Sequence, residues 1–176
     1  MISTPAVAAW WHGLQPDPAR KWPGDRAALA RLRRCASVAE AMQEPATMLL
    51  FRRCGAAGPA DLPRVALVAA VLAHVRIDQP GQRVARQIGP DSPENPETAL
   101  LKPLRFRRLM EAASPDERLA AFRRLVAIAD RVLNVHDLAA ALLNWDDRRR
   151  QRWVYDYWNA GAAPAPDNAP AEEPIS

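Results

Sequence analysis

Glycine is scarce in this sequence, with 7 residues in 176, and β-branched residues are few. The sequence has no glycine-rich loop of the kind that cradles phosphates, so no such nucleotide-binding site is predicted. Alanine, leucine and arginine dominate instead, and these residues favour helix. We therefore expect an all-α fold.

Groups of residues typical of catalytic or metal sites are also lacking. The histidines His12, His74 and His136 are dispersed, and none has a metal-ligand spacing with a cysteine or a second histidine. The adjacent carboxylates Asp146 and Asp147 are followed by arginines and are interpreted as structural. We expect a protein that is not an enzyme and that needs no cofactor and no metal.

The apolar runs and the cysteines indicate the cellular compartment of the protein. The longest strongly apolar run, Val65–Val75, is too short to cross a bilayer, which takes roughly 20 residues. The N-terminal segment has no basic region typical of a secretory signal. Cys35 and Cys54 lie in apolar surroundings and are predicted to be buried free thiols. We expect a cytoplasmic protein that does not contact a membrane.

Positive charge is in excess, and nearly all of it is arginine. Basic residues outnumber acidic ones by 24 to 20, and Lys21 and Lys102 are the two lysines. Residues 161–176 hold three acids and no base, so the rest of the chain has 24 basic residues against 17 acidic ones. Such an excess suits a polyanionic partner. A GC-rich genome would also favour arginine over lysine, but it does not decide where the arginines lie.

Paired arginines between apolar residues occur four times. The motif FRRL occupies Phe106–Leu109 and Phe122–Leu125, and the related LRRC and FRRC occupy Leu32–Cys35 and Phe51–Cys54. On a helix, the flanking apolar residues share one seam and the arginines point to the other side. Each unit is therefore predicted to anchor one face in a core and to project two guanidinium groups outward.

Two interpretations of these arginine faces remain open. They can be the solvated faces of amphipathic helices, paired with acids at i,i+4. They can also bind phosphate, whose oxygens the planar guanidinium group contacts in pairs. We favour phosphate because nearby acids are mostly missing, and we expect contacts to the nucleic-acid backbone rather than to bases. The residues predicted to bind nucleic acid are Arg26, Arg33, Arg34, Lys102, Arg105, Arg107, Arg108, Arg123, Arg124, Arg131, Arg148, Arg149 and Arg150.

Start and stop signals divide the chain into helices. The predicted helices begin near Thr4, Asp25, Ser37 and Pro45, and continue with Leu62–Arg76, one turn near Val84–Ile88, Pro103–Ala113, Ser114 to about Leu133, Val135–Trp145 and Asp146–Trp158. Leu62–Arg76 is apolar on nearly every face and should be the central helix. We expect two small helical bundles, over 1–76 and 102–160, joined by a Pro-rich loop or linker over 77–101. An acidic, disordered tail is predicted over 161–176.

An ordered set of segments resembles a known family. These are the pair Trp10–Trp11, then GDRAALARLRRC, then LRFRRLMEAASPDERLAAFRRLV, and last LAAALLNWDDRRRQRWVYDYW. Together they resemble CasB, the small subunit of the type I-E CRISPR surveillance complex Cascade, over about residues 8–158. The resemblance implies an all-helical protein without catalytic activity, present in two copies per complex. The matched basic positions are Arg33, Arg34, Arg107, Arg108, Arg123, Arg124 and Arg148–Arg150.

The resemblance also implies partners: guide RNA, the target DNA and its displaced strand, the Cascade backbone and large subunits, and a second copy of the chain. The leading hypothesis is a subunit that stabilises opened target DNA through sequence-independent contacts between arginine and phosphate. Two alternatives stay open at this point. The arginine faces could dock acidic partner subunits in a protein scaffold, or the chain could be a stand-alone regulator that binds nucleic acid.

Overall fold

The computed structural model describes residues 1–163, which form ten α-helices and one pair of short strands. The helices are α1 (Thr4–Leu14), α2 (Arg26–Arg34), α3 (Val38–Met42), α4 (Pro45–Arg53), α5 (Leu62–Leu72), α6 (Val84–Ile88), α7 (Pro103–Glu111), α8 (Pro115–Ile128), α9 (Val135–Leu143) and α10 (Asp147–Tyr157). The strands are β1 (Ile77–Asp78) and β2 (Val132–Leu133). The expected mainly helical fold is confirmed. The predicted disordered tail falls almost entirely on residues 164–176, which lie outside the described residues.

Helix starts follow the capping signals of the sequence. The Asp25 carboxylate accepts a hydrogen bond from the Ala28 amide at the start of α2, at 3.0 Å. Ser37 accepts in the same way from the Glu40 amide at the start of α3, at 3.1 Å. Ser114 forms a complete capping box with Glu117 at the start of α8. Short polar side chains accept hydrogen bonds from amides that have no partner inside the helix. Residues close in sequence therefore determine where these helices begin.

The central helix α5 is buried along most of its length. Residues Val65–Ala73 are all at most 2% exposed, and α5 contacts α2, α3, α4, α8 and α9. The central helix is thus confirmed, although it ends at Leu72 rather than Arg76, because the chain then pairs with β2. The division into two bundles stays a prediction. Helix α5 contacts helices that precede residues 77–101 in sequence and also α8 and α9, which follow them. If the chain divides into two bundles, both therefore pack against α5.

Residues 77–101 contain the predicted helical turn, α6, whose Val84 and Ile88 are fully buried. The Asp137 carboxylate accepts from the Val84 amide at 2.8 Å, which ties α6 to the start of α9. Just before α6, β1 pairs in parallel with β2, with Ile77 opposite Val132.

This strand pair shortens α8. The sequence predicted a helix to about Leu133, and that prediction is wrong, since α8 ends at Ile128. Asp130 and Arg131 have φ angles of 54° and 62°, a left-handed turn that stops the helix and directs the chain into β2.

Arginines cap the C-terminal ends of several helices from other parts of the chain. Arg86 donates to the Tyr157 carbonyl at the end of α10, at 2.9 Å, and Arg64 donates to the Leu143 carbonyl at the end of α9, at 3.3 Å. The last carbonyls of a helix have no amide partner within the helix, so such contacts replace water. They also place a positive charge at the negative end of the helix dipole.

Aromatic packing closes the core around α8 and α10. The rings of Phe122, Trp145 and Trp153 meet edge to face, with centroids 5.1 to 5.7 Å apart. Phe106 stacks on Tyr157 at 3.8 Å, and the Tyr157 hydroxyl donates to the Leu101 carbonyl at 2.6 Å. Burial raises the pKa of Tyr157 to about 12. Trp145 and Trp153 are thus core residues, at 7% and 2% exposed.

Close packing of α6 on α10 leaves no room for a side chain at Gly89. A Cβ built there would lie 1.9 Å from the Tyr157 carbonyl oxygen. We expect Gly89→Ala to lower the free energy of unfolding by about 1–3 kcal/mol or more, because backbone would have to move. The measurement is urea denaturation followed by circular dichroism. Gly81→Ala is the matched control, since no atom lies within 4 Å of its Cβ. Equal stability of the two variants would contradict this account of the α6–α10 contact.

Candidate nucleic-acid interface

The four arginine-pair motifs all lie on helices, and their apolar residues face the core. Phe106 and Leu109 of α7 are at most 4% exposed, and Phe122 and Leu125 of α8 are fully buried. The predicted apolar anchoring is therefore confirmed. The arginines divide into two kinds, those that extend into solvent and those that bind the protein's own carbonyl groups. The prediction that both arginines of each motif project outward is therefore wrong for Arg33 and Arg123.

The basic residues of α7 and its start are of the first kind. Lys102, Arg105, Arg107 and Arg108 are all exposed, and none forms an ion pair with a carboxylate of residues 1–163. Lys102 donates to the Glu97 carbonyl, which leaves its charge uncompensated. Arg26, Arg34 and Arg124 are likewise exposed and lack an ion pair within that range. We name these seven residues the exposed set.

Arg123 is of the second kind. Its two terminal nitrogens donate to the carbonyls of Cys35, at 2.6 Å, and Leu32, at 3.1 Å, at the C-terminal end of α2. The Nε atom is buried without a hydrogen-bond partner in residues 1–163. Burial lowers the pKa of Arg123, and nearby Cys35 and Glu40 act in the opposite direction. Two of its three donor nitrogens are thus already engaged in holding α8 against α2.

Arg33 caps α5 in a similar way. Its Nε donates to the Ala73 carbonyl at 2.6 Å. Burial lowers the pKa of Arg33, and the charges of Arg76 and Arg131 lower it further. The terminal nitrogens have no hydrogen bond within residues 1–163, so they remain available for a ligand.

Three arginines act on His74 just beyond the end of α5, and a fourth, Arg76, lies near two of them. Burial lowers the pKa of His74 to about 4, with further lowering by Arg123, Arg33 and Arg131, in that order. Arg76 belongs to the same group, because its amide donates to the Arg131 carbonyl at 2.9 Å. We name Arg33, Arg76, Arg123 and Arg131 the cationic cluster. No carboxylate of residues 1–163 forms an ion pair with any of its members.

The parallel strands assemble this cluster. Arg76 directly precedes β1 and Arg131 directly precedes β2, so the pairing places both at the same end of the strands. Arg33, Arg123 and Arg131 were predicted from sequence, whereas Arg76 and His74 were missed. Helical periodicity could not predict these two residues, because a strand pair with two residues in each strand brings this part of the chain to the cluster.

The arginines of α10 form a second group. Arg148 and Arg149 line a groove of about 830 Å³ together with Arg83 and Arg152, two residues that the sequence argument missed. Arg83 and Arg152 share the Asp156 carboxylate, at 3.4 and 3.1 Å. Arg150 differs from its neighbours, since it pairs with Asp147 and donates to the Trp145 carbonyl.

The carboxylates Asp146 and Asp147 are structural, as expected. Asp146 caps α10 by accepting from the Arg149 amide at 2.8 Å, and Asp147 pairs with Arg150. Within residues 1–163, no group of three or more His, Cys, Asp or Glu side chains is placed to hold a metal ion. In the same range, no helix combines the length and apolar character that crossing a bilayer takes.

Comparison with known proteins gives the family. The family model described as CRISPR-associated protein Cse2 matches residues 28–158. The chain belongs to the Cse2 family. Cse2 is the CasB family, so the resemblance read from the sequence is confirmed. The Trp10–Trp11 pair and the acidic tail both lie outside the matched residues of this Cse2 chain.

The fold is shared with a solved structure. It is a chain of the crystal structure of E. coli Cascade bound to a PAM-containing double-stranded DNA target, with a TM-score of 0.63 and 22% identity. The alignment covers 91% of this Cse2 chain and 99% of the E. coli chain. No curated protein sequence matches the chain.

The two arginines of the α8 motif should differ sharply in their effect on stability. We expect Arg123→Ala to lower the free energy of unfolding by about 1.5–3 kcal/mol, the range for hydrogen bonds to a charged group, because the ends of α2 and α8 separate. Arg124→Ala, the adjacent and exposed control, should change it by less than about 0.5 kcal/mol. Urea denaturation of both variants tests this, and a similar loss in both would show that Arg123 does not hold α2.

Burial of His74 beside Arg123, Arg33 and Arg131 makes stability depend on pH. The ordinary pKa of 6.5 is lowered to about 4 in the folded chain. Between these values the unfolded chain binds more protons, so stability falls as pH drops from about 6.5 to about 4. We expect His74→Gln to flatten this part of the stability–pH curve, measured by urea denaturation at several pH values. The exposed His136→Gln variant is the control, and an unchanged pH dependence in His74→Gln would contradict the burial of a neutral His74 beside these arginines.

Proposed function

We propose that this Cse2 chain is a non-catalytic, nucleic-acid-binding subunit of a Cascade-type guide-RNA complex. In this proposal its arginines hold phosphates of the opened target DNA. Membership of the Cse2 family supports the assignment, and so does the fold shared with a chain of DNA-bound E. coli Cascade. The partners would be guide RNA, target DNA and the other subunits, including a second copy of the chain.

One observation carries the proposal. Of all the basic residues predicted to bind nucleic acid, Arg150 alone is paired with a carboxylate of residues 1–163. Arg33 and Arg123 bind neutral carbonyl groups. Arg131 and Arg149 are half-buried without a carboxylate partner in residues 1–163, and the remaining predicted basic residues are exposed. Their positive charge therefore remains uncompensated, and phosphate is the ligand that compensates it best, through paired hydrogen bonds to the guanidinium group.

The proposed role follows from the free-energy balance of opening the target DNA. Exchange of a DNA duplex for a guide–target duplex is nearly neutral in free energy, so contacts between protein and strand backbone can decide its direction. Arginines that hold the displaced strand would oppose its re-annealing. Backbone contacts are blind to sequence and weaken with salt, with a log-affinity slope of about −0.7 per phosphate on single strands.

A second candidate function, a protein scaffold, has one specific observation in its favour. Leu100 and Leu104 beside Lys102 are 51% and 58% exposed, so the basic face of α7 also presents apolar surface suited to a protein partner. Recovery of partner subunits that survives nuclease treatment, but not substitution of α7 arginines, would favour the scaffold. Tight binding of nucleic acid by the isolated chain at physiological salt would favour a stand-alone regulator.

Charge reversal on α7 tests the proposed function. We expect Arg107→Glu/Arg108→Glu to weaken target-DNA opening by the assembled complex and to lower the salt slope by about 1.4, for two single-strand phosphates lost. Permanganate footprinting over a salt series measures both.

The FRRC motif of α4 supplies a matched control. Arg52→Glu/Arg53→Glu changes the same charge at exposed positions outside the predicted interface, and we expect it to leave opening unchanged. If opening also persists after combined reversal of the exposed set and of Arg148 and Arg149, the proposed function is wrong.

A further inference from the structure

An apolar groove of about 580 Å³ runs along α10, next to its arginines. Met110 of α7 forms one wall, and Val154, Tyr155 and Trp158 of α10 supply most of the remaining apolar surface. Val154 and Tyr155 are 40% and 48% exposed, so residues 1–163 leave this groove uncovered. Two aromatic rings along one groove suit a segment that packs by apolar contact.

The chain itself leaves α10 beside this groove. Asn159 takes a left-handed φ of 52°, and the Ala160 amide donates to the Tyr155 carbonyl at 3.1 Å. Ala160 lines the groove, and a Cβ built on Gly161 would lie 2.5 Å from the Tyr155 hydroxyl. The chain thus turns back against α10 rather than away from it.

The next residues, 164–176, read PAPDNAPAEEPIS and have the composition that such a groove binds. Pro-rich segments bind aromatic-lined grooves in an extended form, with a small entropic cost of ordering. Three acids, Asp167, Glu172 and Glu173, complement the nearby arginines. Arg150 borders the groove but is paired there with Asp147, so it offers little free charge. The complementary charge comes from Arg148 and Arg149 of the adjoining groove, which shares Gln151 and Tyr155 with this one.

The short distance from residue 163 to the groove and the high effective concentration of a tethered segment favour an intramolecular contact. The groove begins at Ala160, and an extended chain advances about 3.3 Å per residue, so the first few residues beyond 163 can enter it. A segment on a short tether has an effective concentration of order mM. Docking with an affinity of only about 1 mM would therefore occupy the groove half of the time.

We propose that residues 164–176 bind in this groove, with prolines against Tyr155 and Trp158 and with the acids toward the arginines of α10. The segment lies beyond the residues that match the Cse2 family, so this contact is a property of this chain. The bound segment places carboxylates where the proposed function places phosphates, and the two compete for the same arginines.

The Met110 methyl group reports docking without nucleic acid. It lies on α7, far in sequence from residue 163, yet it lines the groove. We expect its NMR signal to differ between the full chain and a chain that ends at Ala163. A difference confined to residues 158–163 would overturn the proposal. A Met110 shift that requires added partner subunits would overturn it too, because the groove would then bind another protein.

Two substitutions sharpen this experiment. Val154→Glu places a charge on an exposed groove residue, so it should give the full chain the Met110 signal of the truncated one. Leu49→Glu, at a 49% exposed leucine of α4, is the matched control and should leave the signal unchanged. Asp167→Asn/Glu172→Gln/Glu173→Gln in the full chain should reduce the Met110 shift, and an unreduced shift would overturn the role of the acids.

Competition with nucleic acid gives a second readout, which rests on the proposed function. If residues 164–176 occupy the groove half of the time, the arginines of α10 are free in only half of the molecules. The chain that ends at Ala163 should therefore bind oligo(dT) about twofold more tightly than the full chain. Equal affinities in the presence of a clear Met110 shift would overturn the competition. Absence of binding in both chains even at low salt, where contacts to phosphate are strongest, would count against the proposed function instead, while the Met110 signal still decides the docking.

Discussion

Arginine side chains that cap the ends of distant helices hold this fold together. A helix leaves its last carbonyls without amide partners, and water or a donor from elsewhere must satisfy them. Here Arg123 serves α2, Arg33 serves α5 and Arg86 serves α10. Each contact joins two elements that are far apart in sequence. Because the helices are short and many, these end contacts set how they pack around α5 as much as the apolar seams do.

The same contacts explain how the protein tolerates so many arginines close together. A carbonyl at a helix C-terminus carries partial negative charge, which stabilises a guanidinium group without cancelling its full charge. In the cationic cluster around His74, Arg33 and Arg123 are held this way, and no member of the cluster has an ion pair in the described part of the chain. Its positive potential therefore persists at the surface, which is the condition for attracting a polyanion.

Structural and ligand-binding roles consequently overlap within one motif. In the α8 motif, Arg123 holds α2 while its neighbour Arg124 extends into solvent. In the α2 motif, Arg33 holds α5 through Nε and keeps its terminal nitrogens available. A basic surface of this kind is positioned by the core itself, since the residues that shape it also fix the helix ends. This arrangement suits a subunit whose proposed task is to hold strands at fixed places along a larger assembly.

Local signals in the sequence determined most of the helices and the identity of the family. Asp25, Ser37 and Ser114 mark helix starts because a cap is a contact within four residues. The apolar seams of the arginine motifs are equally local, since residues three apart share a helix face. By contrast, tertiary structure alone decided which arginines became caps, where α8 ends, and that Arg76 joins Arg131 at the strand pair. These outcomes depend on hydrogen bonds between residues tens of positions apart, and helical periodicity carries no information about such partners.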